Sequence, residues 1–208
     1  MSLKKVTLII LLVILIDQIV KIYIKTNFVY GSSGLIDVTG WFKILLIENE
    51  GAAWGTRLSD IFPISDRTGK LILTIFRLFA ISGIGYWLYK TIKKNGTPVL
   101  LVSIALIFAG ALGNIIDSVF YGIVFSESTY NEVATIFPEV TYGSLFHGKV
   151  VDMLYFPIID TIWPDWVPFF GGKPFRFFEP VFNIADTAIS TGVGILLVFN
   201  RKAFPKKK

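Results

Sequence analysis

Long apolar runs separated by short basic segments dominate the chain. The runs cover about residues 6–24, 71–89, 99–119 and 183–199. Each approaches the roughly 20 residues that a helix needs to cross the hydrocarbon core of a bilayer. A backbone in lipid must satisfy its own hydrogen bonds, so each run is predicted to be a helix. The pattern therefore predicts an α-helical integral membrane protein with four transmembrane helices.

The two long segments between the runs are predicted to be structured rather than simple linkers. Residues 25–70 include the alternating sequence of residues 41–47, which is typical of a β-strand. Residues 120–182 are rich in aromatic residues and proline, a composition that favours the membrane–water interface. We expect a small outer β-rich cap and an interfacial loop or helix on a single membrane-embedded domain, residues 1–208.

Lysine and arginine flank the apolar runs and predict the orientation. With four spans, the N-terminus, the basic segment Lys90–Lys94 and the C-terminal tail lie on one side, which the positive-inside rule makes cytoplasmic. A cleaved signal peptide is the alternative for the first run, because a basic start and an apolar core are its hallmarks. The run is long for that role and contains Asp17 and Lys21, which favours a retained span.

The amino-acid composition limits the kinds of chemistry that the protein can perform. Charged residues make up 17% of the chain and hydrophobic residues 53%, with a mean hydropathy of +0.65 and a net charge of +5. These values exclude a disordered chain and a basic nucleic-acid-binding domain. The sequence contains no cysteine and one histidine, His147, which excludes thiol nucleophiles, thiolate metal sites and multi-histidine metal sites. We therefore expect no metal, no cofactor and no nucleic-acid partner.

Polar residues within apolar sequence are candidates for function, because a charge in a membrane span is costly unless it is paired or hydrated. The candidates are Asp17, Lys21, Arg77, Asn114, Asp117, Asp152, Asn183 and Asp186. Asp17 and Lys21 are four residues apart and are predicted to form an ion pair on one helix face. Arg77 is predicted to snorkel or to pair within the helical bundle.

Asn114 and Asp117 lie three residues apart near the outer end of the third run. The helix dipole disfavours a carboxylate there, so Asp117 is expected to receive a compensating donor, for example from a loop. The preceding residues Ala109–Gly113 are small enough for close helix packing. Structural and functional roles are both compatible with this pattern.

Asn183 and Asp186 have a spacing that a helix-capping box would explain by itself. A capping box does not explain Asp152, which also lies in apolar sequence. A carboxyl pair would account for both acids, because two close carboxyl groups share one proton at neutral pH. The ionised member could then activate a water while the protonated member stabilises the oxyanion that forms on a carbonyl group.

Five segments carry a family resemblance, and they occur in order along the chain. They are Asp17–Lys21, Asn49–Gly55, Gly110–Asp117, Gly148–Asp152 and Phe182–Asp186. They resemble the motifs D-Q-x-x-K, N-x-G-A-A-[FW]-G, G-A-L-G-N-x-x-D, G-x-V-V-D and F-N-x-A-D of the bacterial lipoprotein signal peptidases. These type II signal peptidases are integral-membrane aspartyl proteases. Each motif alone is weak, whereas five in order are specific.

The resemblance implies that Asp152 and Asp186 are catalytic. It also implies supporting or substrate-binding roles for Asn49, Gly51, Asn114, Asp117, Asn183, Asp17 and Lys21. The implied substrates are prolipoproteins whose lipobox cysteine carries a diacylglyceryl group, cleaved just before that cysteine. The implied location is the bacterial inner membrane, with the site near its outer surface. Membrane lipid and globomycin-type cyclic peptide inhibitors are implied partners.

Two departures from the family pattern stand out. Ser118 occupies the position after Asp117 where the family usually has arginine, and Arg176 and Lys149 are the candidates to replace that cation. Residues 120–147 are longer than the family's usual connection. We predict an insertion on the outer face that shapes substrate entry.

Two other functions are alternatives to an aspartyl protease. The segment Gly31–Gly34 matches the G-x-S-G of rhomboid serine proteases, with His147 as a possible base, but it lies in a loop and not at the start of a buried helix. A small non-enzymatic carrier or scaffold is the second alternative, because intramembrane carboxylates also mark ion paths. Inverted repeats and broken helices would indicate a carrier, and the sequence pattern has neither.

Overall fold

The computed structural model describes residues 1–50 and 57–205. The helices in these ranges are α1 (Leu3–Asn27), α2 (Asp66–Lys93), α3 (Pro98–Ile116), α4 (Gly122–Val124), α5 (Ile184–Val198) and α6 (Asn200–Ala203). The strands are β1 (Gly31–Asp37), β2 (Lys43–Asn49), β3 (Val150–Tyr155), β4 (Ile159–Ile162), β5 (Pro174–Phe177) and β6 (Val181–Phe182). A 3-10 turn at Leu58–Asp60 precedes α2, and a π-helical turn at Asp117–Tyr121 joins α3 to α4.

Three helical stretches within the described residues are long and apolar enough to cross a membrane: α1, α2 and the continuous stretch Pro98–Val124. The fourth predicted run also forms an apolar helix, α5, but with 15 residues it is shorter than the others. The chain is thus a membrane protein of long apolar helices with a small β-rich part. Helices α1 and α2 extend beyond the predicted runs at both ends, because polar residues, which hydropathy does not detect, take part in their first and last turns.

Helix α3 packs closely against α1 and α5. A β-carbon added at Gly110 would lie 2.2 Å from the carbonyl oxygen of Ala185 on α5. A β-carbon added at Gly113 would lie 2.6 Å from Oδ2 of Asp17 on α1. Glycine is therefore required at both positions, which confirms the predicted close packing of this small-residue segment.

A four-stranded antiparallel sheet with the order β1-β2-β3-β6 forms the cap. Strand β2 confirms the strand predicted from alternation. It pairs with β3 so that Ile47 faces Asp152 and Asn49 faces Val150. Strand β6 leads directly into α5. The sheet therefore brings the segment that carries Asp152 beside the start of the helix that carries Asp186.

The aromatic segment between β3 and β6 forms a second sheet, the β4–β5 hairpin, where an interfacial loop or helix was predicted. β-branched and aromatic residues on both sides of a proline- and glycine-rich tip favour strands there. At the base of the hairpin, Phe156 stacks between Phe42 and Phe182, with ring centroids 4.8 and 5.5 Å apart. The hairpin is thus anchored at the chain segment that starts α5.

Residues 120–147, the predicted insertion, begin with the end of the π-helical turn and α4 and continue without long regular elements. The segment is bound to the cap: Tyr30 N–H donates to Thr129 O at 2.8 Å, and Ser128 Oγ donates to Glu48 Oε1 at 2.8 Å. Glu48 also forms a buried ion pair with Lys25 at the end of α1. The insertion is consequently part of the folded cap.

Candidate active site

A buried ionic cluster lies between α1 and the end of α3. Lys21 Nζ is 3.0 Å from Asp17 Oδ2 and 2.8 Å from Asp117 Oδ2, and all three side chains are fully buried. The predicted pair of Asp17 and Lys21 is therefore confirmed, and Asp117 is a second partner of the same cation. Lys21 also donates to Asn114 Oδ1 at 2.8 Å.

Asp117 receives the compensating donors that its position required. Gln18 Nε2 donates to Oδ1 at 2.9 Å, and the backbone N–H of Val151 on β3 donates to Oδ2 at 3.2 Å. The chain also continues as a π-helical turn beyond Asp117. The carboxylate thus links α1, α3 and the strand that carries Asp152.

Asn183 begins α5 with a reciprocal capping box. Its Oδ1 accepts the N–H of Asp186 at 2.8 Å, and Asp186 Oδ2 accepts the N–H of Asn183 at 3.3 Å. Asp17 Oδ1 accepts the N–H of Ala185 at 2.9 Å. These carboxylates satisfy free amides and suit the positive end of the helix dipole. The predicted capping interaction is therefore present.

The side chain of Asn183 also contacts the other acid. Its Nδ2 donates to Asp152 Oδ1 at 2.7 Å, while Asn114 Nδ2 donates to Asp186 Oδ1 at 2.8 Å. Asn49 Nδ2 on β2 is 3.4 Å from Asp152 Oδ2, a long contact. Asp152 and Asp186, 34 positions apart in sequence, are hence both hydrogen-bonded to Asn183.

The environment of Asp152 favours its protonated form. Burial, together with the nearby charge of Asp186, raises the pKa of Asp152 to about 7, although hydrogen bonds from Asn183 and Asn49 and the charge of Lys21 act in the opposite direction. A carboxyl group with this pKa exchanges its proton near neutral pH, which is what general acid–base chemistry needs. No cluster of three or more potential metal ligands occurs within the described ranges.

A cleft of about 790 Å³ opens beside Asp152. Strand β2, the insertion and the segment before β6 form its walls. The lining residues include Tyr30, Glu48, Asn49, Glu50, Arg57, Glu127, Ser128, Thr129, Tyr130, Lys149, Glu179, Pro180 and Val181. The cleft is lined by both charged and apolar side chains, and Asp152 forms part of its wall.

Neither residue proposed to replace the missing arginine lies beside Asp117. Arg176 is exposed on β5, and its Nε contacts Asp160 Oδ1 at 3.1 Å. Lys149 Nζ pairs with Glu127 at 2.7 Å and with Glu48 at 3.4 Å. The cation bonded to Asp117 is Lys21, so the prediction for Arg176 and Lys149 was wrong. Sequence proximity to the motifs could not indicate that the β4–β5 hairpin carries Arg176 away from the ionic cluster.

Arg77 was predicted to snorkel or to pair within the helical bundle. It contacts Ser118, the residue that stands where the family usually has arginine. Its Nη1 donates to Ser118 Oγ at 3.1 Å. Gln18 is another residue whose role was missed, although an amide within an apolar run was a usable signal. Gly51 and residues 52–55 of the same motif lie outside the described residues.

The features that suggested a serine protease do not converge. The segment Gly31–Gly34 begins strand β1 and does not open a helix. His147 Nδ1 lies 3.0 Å from Ser144 Oγ and 2.9 Å from Leu145 O, at the end of the insertion. His147 is therefore hydrogen-bonded within its own loop.

Comparisons with known proteins indicate the family of this chain. The profile of the family described as "Signal peptidase (SPase) II" matches residues 9–201. A lipoprotein signal peptidase of Porphyromonas gingivalis is 44% identical over 197 residues, which cover 94% of this chain and 82% of that protein. One of Amoebophilus asiaticus is 35% identical over 193 residues, covering 92% and 75%.

Two solved structures, each described as a bacterial membrane enzyme, share the fold. One has a TM-score of 0.61 and 25% sequence identity, and the match covers 97% of this chain and 96% of that one. The other has a TM-score of 0.58 at 25% identity, covering 99% and 94%.

Proposed function

This chain belongs to the signal peptidase II family, and we propose that Asp152 and Asp186 are the carboxyl pair with which it cleaves its substrate. Family membership makes the protein an aspartic endopeptidase that removes signal peptides from prolipoproteins. The observation that carries the assignment of the pair is that both carboxyl groups are hydrogen-bonded to Asn183 at the start of α5.

The two acids share one proton at neutral pH, and together they activate one water. The ionised carboxylate removes a proton from the water as its oxygen attacks the scissile carbonyl carbon. The protonated carboxyl donates a hydrogen bond to the oxygen on which negative charge develops. When the tetrahedral intermediate collapses, a proton passes to the leaving nitrogen, so the products are a carboxylate and a free amine.

The dyad is tested by incubating the purified protein in lipid with a prolipoprotein whose lipobox cysteine carries a diacylglyceryl group. Asp152→Asn and Asp186→Asn should each abolish cleavage, because neither amide can act as a base for water. Asp160→Asn is the matched control, since Asp160 is exposed and bonded to Arg176 on the hairpin. Cleavage at the wild-type rate by either of the first two variants would disprove the assignment.

We further propose that diacylglyceryl-modified prolipoproteins are cleaved just before the lipidated cysteine. Acyl chains that remain in lipid hold the scissile bond near the membrane surface, where Asp152 borders the cleft. The cleft beside Asp152, with its charged and apolar side chains, is the proposed binding place for the peptide on the aqueous side of the cysteine. Residues 127–130 of the insertion form part of its wall, which supports a role for the insertion in substrate entry.

In the proposed arrangement the protein crosses the bacterial inner membrane four times as a single domain, with both termini in the cytoplasm. Helices α5 and α6 would together form the fourth span, since they cover about the 20 residues that crossing requires. Lys90 and Lys93 at the end of α2 and Arg201 and Lys202 on α6 would then lie at the cytoplasmic side. The sheet and the dyad would lie toward the outer surface.

Membrane lipid is the proposed partner of the β4–β5 hairpin. Phe169 at its tip is 89% exposed and Trp166 is 80% exposed, while Phe170 is also exposed. Exposed aromatic side chains of this kind favour the interfacial zone of a bilayer. The base of the hairpin adjoins the start of α5, so insertion of its tip would fix the dyad relative to the outer surface. Globomycin-type cyclic peptides are the proposed inhibitors, occupying the cleft in competition with substrate.

A further inference from the structure

Arg77 is a cation that the reaction described above does not use. It lies within α2, where a charged side chain is costly unless it snorkels to water or finds a partner inside the protein. Its guanidinium is directed inward, because Nη1 donates to Ser118 Oγ on the π-helical turn at 3.1 Å. The position of this bond favours an internal role over snorkelling.

A short chain of bonds connects Ser118 to the dyad. Its hydroxyl donates to the backbone oxygen of Asn114 at 2.9 Å, and the side chain of Asn114 donates to Asp186 Oδ1 at 2.8 Å. The charge of Arg77 also interacts favourably with Asp186, Asp152 and Asp117. Arg77 is therefore close enough to influence both acids of the dyad.

The distribution of charge shows why a second cation is needed. Lys21 is bonded directly to Asp17 and Asp117, so its single positive charge is already shared between two carboxylates. A dyad that shares one proton retains one negative charge in a buried setting. Charged groups near Arg77 among the described residues include Asp117 on the π-helical turn, Asp152 on β3, Asp186 on α5 and Lys70 on α2, with Asp17 and Lys21 of α1 beyond Asp117.

We propose that Arg77 is a positioning residue that stabilises the singly ionised dyad, supplied from α2 to the place where the family motif has arginine on α3. Ser118 leaves room for the guanidinium and fixes it with a hydrogen bond. This role rests on the proposed function of Asp152 and Asp186. Arginine at position 77 with serine at position 118 then supplies the positive charge that arginine at position 118 would supply by itself.

The proposal is tested by measuring kcat/KM against pH for the wild type, Arg77→Gln, Arg77→Lys and the double variant Arg77→Gln/Ser118→Arg. A nearby cation favours ionised carboxylates, so its loss should move both limbs of the bell-shaped profile to higher pH, by about one unit. At a fixed pH on the acidic limb kcat should therefore fall roughly ten-fold, and on the alkaline limb it should rise, with KM little changed. Arg77→Lys and the double variant should return the limbs toward their wild-type positions.

Lys90→Gln is the matched control, because Lys90 is a cation at the far end of the same helix, over the ring of Tyr86. Limbs that stay at their wild-type positions in Arg77→Gln, or that are not restored in the double variant, would overturn the proposal. Should Arg77→Gln fail to fold, Ser118→Ala decides the question. It removes the hydroxyl that holds the guanidinium without adding volume, so the limbs must move to higher pH, and unmoved limbs reject the idea.

The dyad and the role of Arg77 are tested by different variants. Cleavage that persists in Asp152→Asn or Asp186→Asn overturns the dyad itself. If the Asp→Asn variants are inactive but the limbs do not move in the Arg77 variants, the assignment of the dyad stands. Only the role of Arg77 is then rejected.

Discussion

Asn183 serves two purposes at the residue scale. Its carbonyl oxygen caps α5, and its amide nitrogen bonds Asp152. The spacing of Asn183 and Asp186 predicted the first purpose. The second could not be derived from spacing, because it depends on the pairing of β3 with β6, which is a long-range contact. The family resemblance supplied the connection that local pattern lacked.

Replacing Asn183 with alanine should therefore lower both stability and turnover. Loss of an N-cap costs about 1 kcal/mol. Loss of the amide should also reduce kcat, because Asp152 and Asp186 would no longer be held by one side chain. The measurements are thermal unfolding in detergent and cleavage of a lipidated prolipoprotein.

Ser65→Ala provides the comparison, since Ser65 caps α2 by accepting the N–H of Thr68. It should lower stability by a similar amount while kcat stays at the wild-type value. Equal losses of kcat in the two variants would mean that Asn183 acts only as a cap.

The raised pKa of Asp152 predicts a pH-dependent effect on stability. The folded protein holds this proton up to a pKa of about 7, whereas an unfolded aspartate loses it near pH ~4. The contribution of Asp152 to stability is thus lost as pH rises through this window. Asp152→Asn should be more stable than the wild type at pH 8, by a few kcal/mol, and equally stable near pH 4.

Unfolding temperatures of the two proteins between pH 4 and pH 8 test this expectation. A constant difference across the range would show that the proton on Asp152 does not contribute.

At the scale of elements, a row of charged residues along one face of α1 shows what hydropathy could and could not predict. Asp17, Lys21 and Lys25 follow one another at intervals of four and are all fully buried on one helix face. The apolar run that predicts the first span ends at residue 24, so it does not include Lys25. The four helices were predictable because burial in lipid requires long apolar runs. The contacts between them were not, because they depend on polar pairs distant in sequence.

Lys25 and Glu48 join α1 to the cap, and Ser128 connects the insertion to the same pair. Glu48→Gln should be strongly destabilising, by about 3–5 kcal/mol, because it leaves the buried Lys25 without its bonded carboxylate. The double variant Lys25→Met/Glu48→Leu should recover much of that loss. Thermal unfolding and proteolysis of residues 126–147 report the effect.

Lys43→Gln is the matched control, because the pair of Lys43 and Asp37 is solvent-accessible and 3.5 Å apart. Its effect should be below about 1 kcal/mol. A loss in Glu48→Gln no larger than in this control would contradict the role of the buried pair.

The whole molecule is defined by its position in the bilayer, and the absence of cysteine makes that position measurable. Single cysteines can be introduced without removing any native thiol. Lys94→Cys should react with an impermeant maleimide only from the cytoplasmic side, and Val140→Cys only from the outer side. Labelling of both sites from the same side would contradict the proposed four-span orientation.

The same approach tests the hairpin. An environment-sensitive fluorophore on Phe169→Cys should show blue-shifted emission in liposomes and be quenched by brominated lipids. The same label on Val140→Cys, which is 80% exposed between Glu139 and Thr141, should report water. Identical, unquenched spectra at the two positions would show that the hairpin tip does not enter the interface.

The start of α5 is bonded to two earlier parts of the chain: Asp17 on α1 accepts the N–H of Ala185, and Asn183 donates to Asp152 on β3. A nascent polypeptide that ends after β3 contains one of the two acids, Asp152, and lacks Asn183, which orients it. Newly made copies should thus stay catalytically silent until the last helix docks. Biogenesis itself would then act as the safeguard against premature proteolysis.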